Sequence, residues 1–183
     1  ADFSTTSFYP AKPLGCYGDG GAVFTNDDET YEILKSLRVH GQGIDKYENV
    51  RIGMNARLDT IQAAVLIEKL KIFDEEMEMR QKVADRYNAG LGNVVKTPYV
   101  MPDTKSTWAQ YTTLVPVSLR NDIVKALNAK GIPTCLFYAN PLHTQKAYSH
   151  YPLASDQLTV TEDLAKRVIC LPISPYISCE TQD

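Results

Sequence analysis

The sequence predicts an α/β protein, and three observations carry that expectation. Apolar residues recur at helical spacing in long stretches near residues 28–38, 59–73 and 74–91. After Pro98–Pro102 the pattern alternates as strand, helix, strand, helix, strand, which predicts a small α/β or α+β domain over residues 98–183. The composition is that of an ordinary globular chain, with 44% hydrophobic and 22% charged residues over 183 positions. It excludes disordered, collagenous and disulfide-stapled classes.

Taken in order, residues 1–26 carry only Asp2, Lys12 and Asp19 as charges and are dense in Gly, Pro, Ser and Thr. They read as irregular loop feeding a short strand, Ala22–Thr25. Asp28 is the expected N-cap of a helix running to about Arg38, with Ile33, Leu34 and Leu37 on one face. Gly41 and Gly43 end it, and the breakers in residues 41–55 predict a long functional loop. Ile61, Ala64, Val65, Leu66, Leu70 and Ile72 suit a well-buried helix from Asp59 to Phe73. The next helix, Asp74 to about Leu91, carries Met77, Val83, Ala84, Tyr87 and Leu91 as a stripe, and its many charges read as a solvated face.

Beyond Pro102, Tyr111–Val117 reads as a strand and Ser118 as the cap of a helix from Asn121 to Ala129, ended by Gly131. Ile132–Tyr138 reads as a strand, residues 161–168 as a short helix and Ile169–Ile173 as a last strand. Ser178 is placed to cap a further helix. The domains expected are residues 1–73, a linking helix at 74–97, and residues 98–183.

Lys+Arg 19 against Asp+Glu 22 leaves a net charge of -3, so the balance makes no case for nucleic acid or an anionic membrane. No apolar run approaches the roughly 20 residues of a spanning helix, and no signal peptide is visible. Cys16, Cys135, Cys170 and Cys179 are far apart in sequence and read as free thiols of a cytoplasmic protein. His40, His143 and His150 form no H-E-x-x-H pattern, so no metal is expected.

Ser7-Phe-Tyr-Pro-Ala-Lys12-Pro-Leu-Gly-Cys-Tyr-Gly-Asp-Gly-Gly-Ala22 is the most informative stretch. A lone lysine stands in a nearly uncharged loop between Pro10 and Pro13, whose fixed φ angles present it. A lysine held away from solvent is a usable amine nucleophile or Schiff-base partner. Ser7, with loop N–H groups, could hold a phosphate. Gly18 and Gly20 do not make a dinucleotide fingerprint, because Val23 stands where its last small residue belongs, and no G-K-[ST] phosphate loop is present. By composition alone, Lys12 could equally be a surface lysine in a turn.

This segment resembles the cofactor-lysine motif of the DegT/StrS-type nucleotide-sugar aminotransferases, which have fold type I and depend on pyridoxal 5'-phosphate (PLP). There an S-F-x-x-x-K run is followed by L-G and G-D-G-G. Two further blocks agree. Gly53-Met-Asn-Ala-Arg-Leu-Asp-Thr-Ile-Gln-Ala-Ala64 resembles the family's G-x-N-x-R-x-x-x-x-Q-A-A, and Pro141-Leu-His-Thr-Gln-Lys-Ala-Tyr148 resembles P-L-H-x-Q-x-A-Y.

The resemblance implies a Schiff base between Lys12 and PLP, phosphate contacts from Ser7 and from Asn55 across a homodimer with shared active sites, and substrate contacts from Arg57, His143 and Tyr138. Read as ordinary residues, Asn55 could cap the following helix, and Arg57 could pair with Asp59 or Glu48. Family members that are dehydratases carry histidine at the lysine position, so Lys12 implies amino transfer. The wording of residues 40–47 and 50–55 resembles enzymes that aminate 3-keto UDP-N-acetylglucosaminuronate, which implies an amino acid donor, glutamate, and a place in lipopolysaccharide O-antigen synthesis. A 4-keto-6-deoxy sugar nucleotide and a non-catalytic regulatory form are the alternatives. Members run to roughly twice this length, with the lysine near the middle. The resemblance therefore implies the end of the large domain plus the small domain, with the final helix truncated. Such a piece alone should be inactive and bind PLP poorly.

Overall fold

The computed structural model describes residues 2–155 and 157–183. The chain divides into two compact units, Ala1–Asp74 and Glu75–Asp183.

In the first unit, β1 (Phe3–Ser7) and β2 (Gly21–Thr25) form an antiparallel hairpin, paired from Phe3↔Thr25 to Ser7↔Gly21. β1 replaces the irregular segment expected there. All five of its side chains are exposed, so it has no in–out alternation to reveal it. The backbone ladder to β2 defines it instead.

Asp27, not Asp28, caps α1 (Asp28–Leu37): its carboxylate accepts the Thr30 N–H at 2.8 Å, which holds its pKa below the usual value. Beyond α1 the expected loop is stitched to the helix end, with bridges Val39↔Asn55 and Gln42↔Asn49. His40 N–H reaches Met54 O at 2.9 Å, and Met54 N–H reaches Leu37 O at 2.8 Å. Gly41 sits at φ 73°, where a Cβ would lie 1.8 Å from Arg51 O. Only glycine fits there.

α2 (Thr60–Leu70) stops short of Phe73, which begins α3 (Phe73–Leu91). α2 is not the well-buried helix its composition suggests. Leu66 is its one buried residue, while Ile61 and Leu70 are 77% and 55% exposed. Its apolar residues are spread around the cylinder, and Gln62 and Lys69, which share a face with Leu66, reach the loop between β1 and β2.

In the second unit, β3 (Tyr111–Leu114) pairs antiparallel with β4 (Val168–Leu171), and Ala84, Trp108 and Tyr111 centre the core. Polar residues of α3 complete that core. Trp108 Nε1–H donates to Gln81 Oε1 at 2.7 Å, and Tyr111 Oη–H to Asn88 Oδ1 at 2.7 Å. Arg80, expected on a solvated face, instead reaches Trp108 O at 3.2 Å.

α4 (Arg120–Ala129) begins without the expected Ser118 cap. The N–H groups of Leu119 and Arg120 bond to Pro116 O at 3.0 and 3.2 Å instead. Gly131 ends the helix at φ 76°, as the sequence predicts. The expected strand Ile132–Tyr138 reduces to a single bridge, Cys135↔Cys170, because Pro133 has no N–H to donate and the chain turns at Phe137 and Tyr138. A 3-10 turn, Leu142–Thr144, precedes α5 (Thr159–Arg167). β4 starts at Val168 and ends before Pro172, one to two residues earlier than expected. Ser178 Oγ does cap α6 (Cys179–Gln182), accepting Thr181 N–H at 3.1 Å.

Candidate active site

Lys12 lies in the loop that joins β1 to β2, in a turn closed by its own N–H to Tyr9 O at 2.8 Å. Tyr9 N–H donates to Ser7 Oγ at 3.2 Å, which leaves the Ser7 hydroxyl proton free to meet an acceptor. Phe8 N–H to Gly20 O and Cys16 N–H to Phe8 O, both 2.8 Å, fasten the base of the loop. The buried Cys16 thiol lies 3.1 Å from Phe8 O and 3.0 Å from Gly18 O, bridging the two limbs. A Cβ on Gly15 would come within 2.7 Å of Tyr9 O. The backbone there leaves no room for a side chain at position 15.

α2 grips this loop from outside. Gln62 Oε1 accepts the Tyr17 N–H at 2.7 Å, and Lys69 Nζ donates to Gly15 O at 2.6 Å while lying 5.3 Å from the Tyr17 ring centroid. Lys12 itself is exposed, so the withdrawal from water that favours a reactive amine is not supplied by the hairpin. Among the described residues its amine has no hydrogen-bond or ion-pair partner. A free amine and a free hydroxyl proton on one ordered loop fit a cofactor held covalently and through a phosphate.

Asn55 and Arg57 are brought together. Arg57 Nε donates to Asn55 Oδ1 at 3.2 Å, so its partner is neither Asp59 nor Glu48. Asn55 does not cap α2; Asp59 holds that position, without a side-chain bond. Arg51 is turned back onto Ser36 Oγ at 3.2 Å, and Tyr47 is 84% exposed.

In the second unit, His143 Nε2 is 3.1 Å from Glu162 Oε1, and the imidazole is largely covered. Tyr138 is exposed and packs on Phe137, with ring centroids 5.2 Å apart. No hydrogen bond joins Tyr138 to His143 among the described residues. An open groove of about 360 Å³ lies along residues 98–112, lined in part by Lys105 and Trp108, and includes neither Tyr138 nor His143. Sequence reasoning missed Gln62 as a loop holder, although it stands in the quoted Q-A-A block. It also missed Lys69 and Glu162, whose partners lie 54 and 19 residues away.

The profile of the DegT/DnrJ/EryC1/StrS aminotransferase family matches residues 1–183. The chain belongs to that family. It is 44% identical over 173 residues to the UDP-2-acetamido-2-deoxy-3-oxo-D-glucuronate aminotransferase of Pseudomonas aeruginosa, covering 94% of this chain and 46% of that one. A DegT DnrJ EryC1 StrS aminotransferase from Brucella abortus superposes with TM-score 0.94 at 52% identity, over 100% of this chain and 48% of that one. NtdA from Bacillus subtilis, solved with bound cofactor PMP, superposes with TM-score 0.86 at 31% identity, over 100% and 44%. This DegT-family chain thus spans about half the length of the relatives it matches, and it has their fold type I α/β architecture over that span. Among the described residues, no group of three His, Cys, Asp or Glu could hold a metal, and no helix is long and apolar enough to cross a membrane.

Proposed function

We propose that the full-length protein is a PLP-dependent aminotransferase that moves an amino group from an amino acid, glutamate, to 3-keto UDP-N-acetylglucosaminuronate. The product is an amino-sugar nucleotide for surface-polysaccharide, lipopolysaccharide O-antigen synthesis in the cytoplasm. One observation carries the reading: the Lys12 amine, without a partner among the described residues, is presented on a loop fastened both to itself and to α2. The identity to the Pseudomonas enzyme supports the sugar. The PMP bound in NtdA, the amino form of the cofactor, supports PLP.

PLP, when bound, supplies an electron sink for the carbon that loses its proton. Lys12 anchors it through its amine. Once released, that amine takes the proton from the donor α-carbon and later delivers one to the sugar carbon that gains nitrogen, acting as base and then acid. Ser7 directs its hydroxyl proton at the phosphate in its own site, and Asn55 contributes its side-chain N–H groups to the phosphate in the site of the second copy. Arg57, with one edge on Asn55, keeps guanidinium N–H groups for a carboxylate or phosphate of the substrate. Glu162 orients the His143 ring for the sugar nucleotide, with Tyr138 as a further substrate contact. The exposed apolar residues Ile44, Tyr47, Val50, Ile52 and Met54 support burial of the 41–55 loop against a second copy in a homodimer with shared active sites.

A visible-absorbance scan of the full-length protein with PLP tests the cofactor assignment. The yellow band is expected in the wild type, lost on borohydride reduction and missing in Lys12→Ala. A colourless wild type would overturn the reading. A yellow protein that aminates only a 4-keto-6-deoxy sugar nucleotide would overturn the sugar assignment alone.

A further inference from the structure

Three residues of the second unit lie in one cross-strand row: Thr112 opposite Cys170, and Cys170 opposite Cys135. Cys135 N–H donates to Cys170 O at 3.2 Å, and Cys170 N–H donates back to Cys135 O at 2.8 Å. Residues that exchange both bonds stand about 5.5 Å apart at Cα, inside the roughly 4.4–6.8 Å span that a disulfide bridges, and forming the bond draws their Cβ atoms in from about 5.5 Å to about 4 Å. Directly opposed residues also direct their side chains to the same face of the sheet. Both thiols are free. Cys135 is exposed, whereas Cys170 is 5% exposed, with Sγ 2.9 Å from Thr112 Oγ1.

We infer that Cys135 and Cys170 form a reversible disulfide site whose oxidant is a low-molecular-weight disulfide of the glutathione type. The asymmetry in exposure sets the order of events. The accessible Cys135 loses its proton to solvent and attacks one sulfur of the small disulfide, releasing one thiolate and leaving a mixed disulfide on Cys135. Cys170 then loses its proton, turns from Thr112 and attacks Cys135 Sγ, expelling the second small thiolate. Two protein thiols and one small disulfide thus become one protein disulfide and two small thiols. With one sulfur at the surface, the bond is of the labile kind that small thiols reopen. Its closure ties the segment that leads to Tyr138 covalently to β4.

The site is independent of the reaction proposed above, and mass spectrometry reads it directly. The full-length protein is incubated with oxidised glutathione, alkylated and digested with trypsin. The peptide Gly131–Lys146 should appear joined to the peptide that begins at Val168, with the free-thiol count lower by two and restored by dithiothreitol. Cys179 lies in the second peptide, so Cys179→Ser must retain the link, while Cys135→Ser and Cys170→Ser must each lose it. Cys135→Ser changes an exposed side chain, so its result stands even if Cys170→Ser folds poorly. Separate alkylation of both cysteines would overturn the inference. So would a glutathione adduct that persists on Cys135, or a link made by Cys16 or Cys179.

Discussion

Gln62 accepts the backbone N–H of Tyr17 at 2.7 Å, across 45 residues of chain. One helical face thereby reaches the loop that presents Lys12, with Lys69 Nζ on Gly15 O two turns further along. The hairpin fixes the ends of that loop, and α2 fixes its far limb.

Replacing Gln62 by Leu leaves the Tyr17 N–H to water and should cost about 0.5–1.5 kcal/mol. Gln62→Glu keeps an acceptor and should recover most of it. Urea unfolding measures the loss, and amide hydrogen exchange at Tyr17 should rise in the Leu variant while α3 amides stay protected.

Lys69→Met removes a charge-assisted bond from the buried Gly15 carbonyl and should cost about 1–3 kcal/mol. Because Gln62 and Lys69 hold the same loop, the double variant should lose less than the sum of the single losses. Strict additivity in the urea midpoints would show that the two contacts act separately.

Gly41 and Gly90 should respond oppositely to alanine. At Gly41 a Cβ meets Arg51 O and the backbone is left-handed, so Gly41→Ala should open the 39–55 segment to limited proteolysis. At Gly90, in α3, a Cβ meets nothing within 4 Å, and Gly90→Ala should raise stability by about 0.5–1 kcal/mol. Protease susceptibility and thermal unfolding read the two results.

Tyr111 governs an alkaline limit. Burial, with the neighbouring Tyr87, pushes its pKa from 10.0 up to about 12. The folded state therefore retains the proton after the unfolded chain has lost it. The stability this residue contributes is present in full below pH 10 and falls between about pH 10 and 12. Tyr111→Phe loses the bond to Asn88 and should start less stable, but its urea midpoint should fall less steeply from pH 9 to 11 than the wild type's. Equal slopes would contradict the assignment.

Helices were legible because each carries its own signal. α1, α3, α4 and α5 appear within one or two residues of their expected starts, and Gly131 and Ser178 act as the terminal residues their types predict. Strands were less legible. β1 is exposed on every side chain, and residues 132–138 are β-like in composition yet make one bridge, since pairing belongs to two segments and neither shows it alone.

The same division holds for chemistry. The sequence by itself determined the family, through residue types at fixed spacing around Lys12, Asn55 and His143, because those spacings are local and survive any packing. The tertiary structure alone decided which residues support them. Gln62 and Lys69 meet the lysine loop, Glu162 meets His143, and Cys135 comes opposite Cys170. Each of these pairs is brought together by chain reversal over 19 to 54 residues, and helical or strand periodicity carries no information at that range.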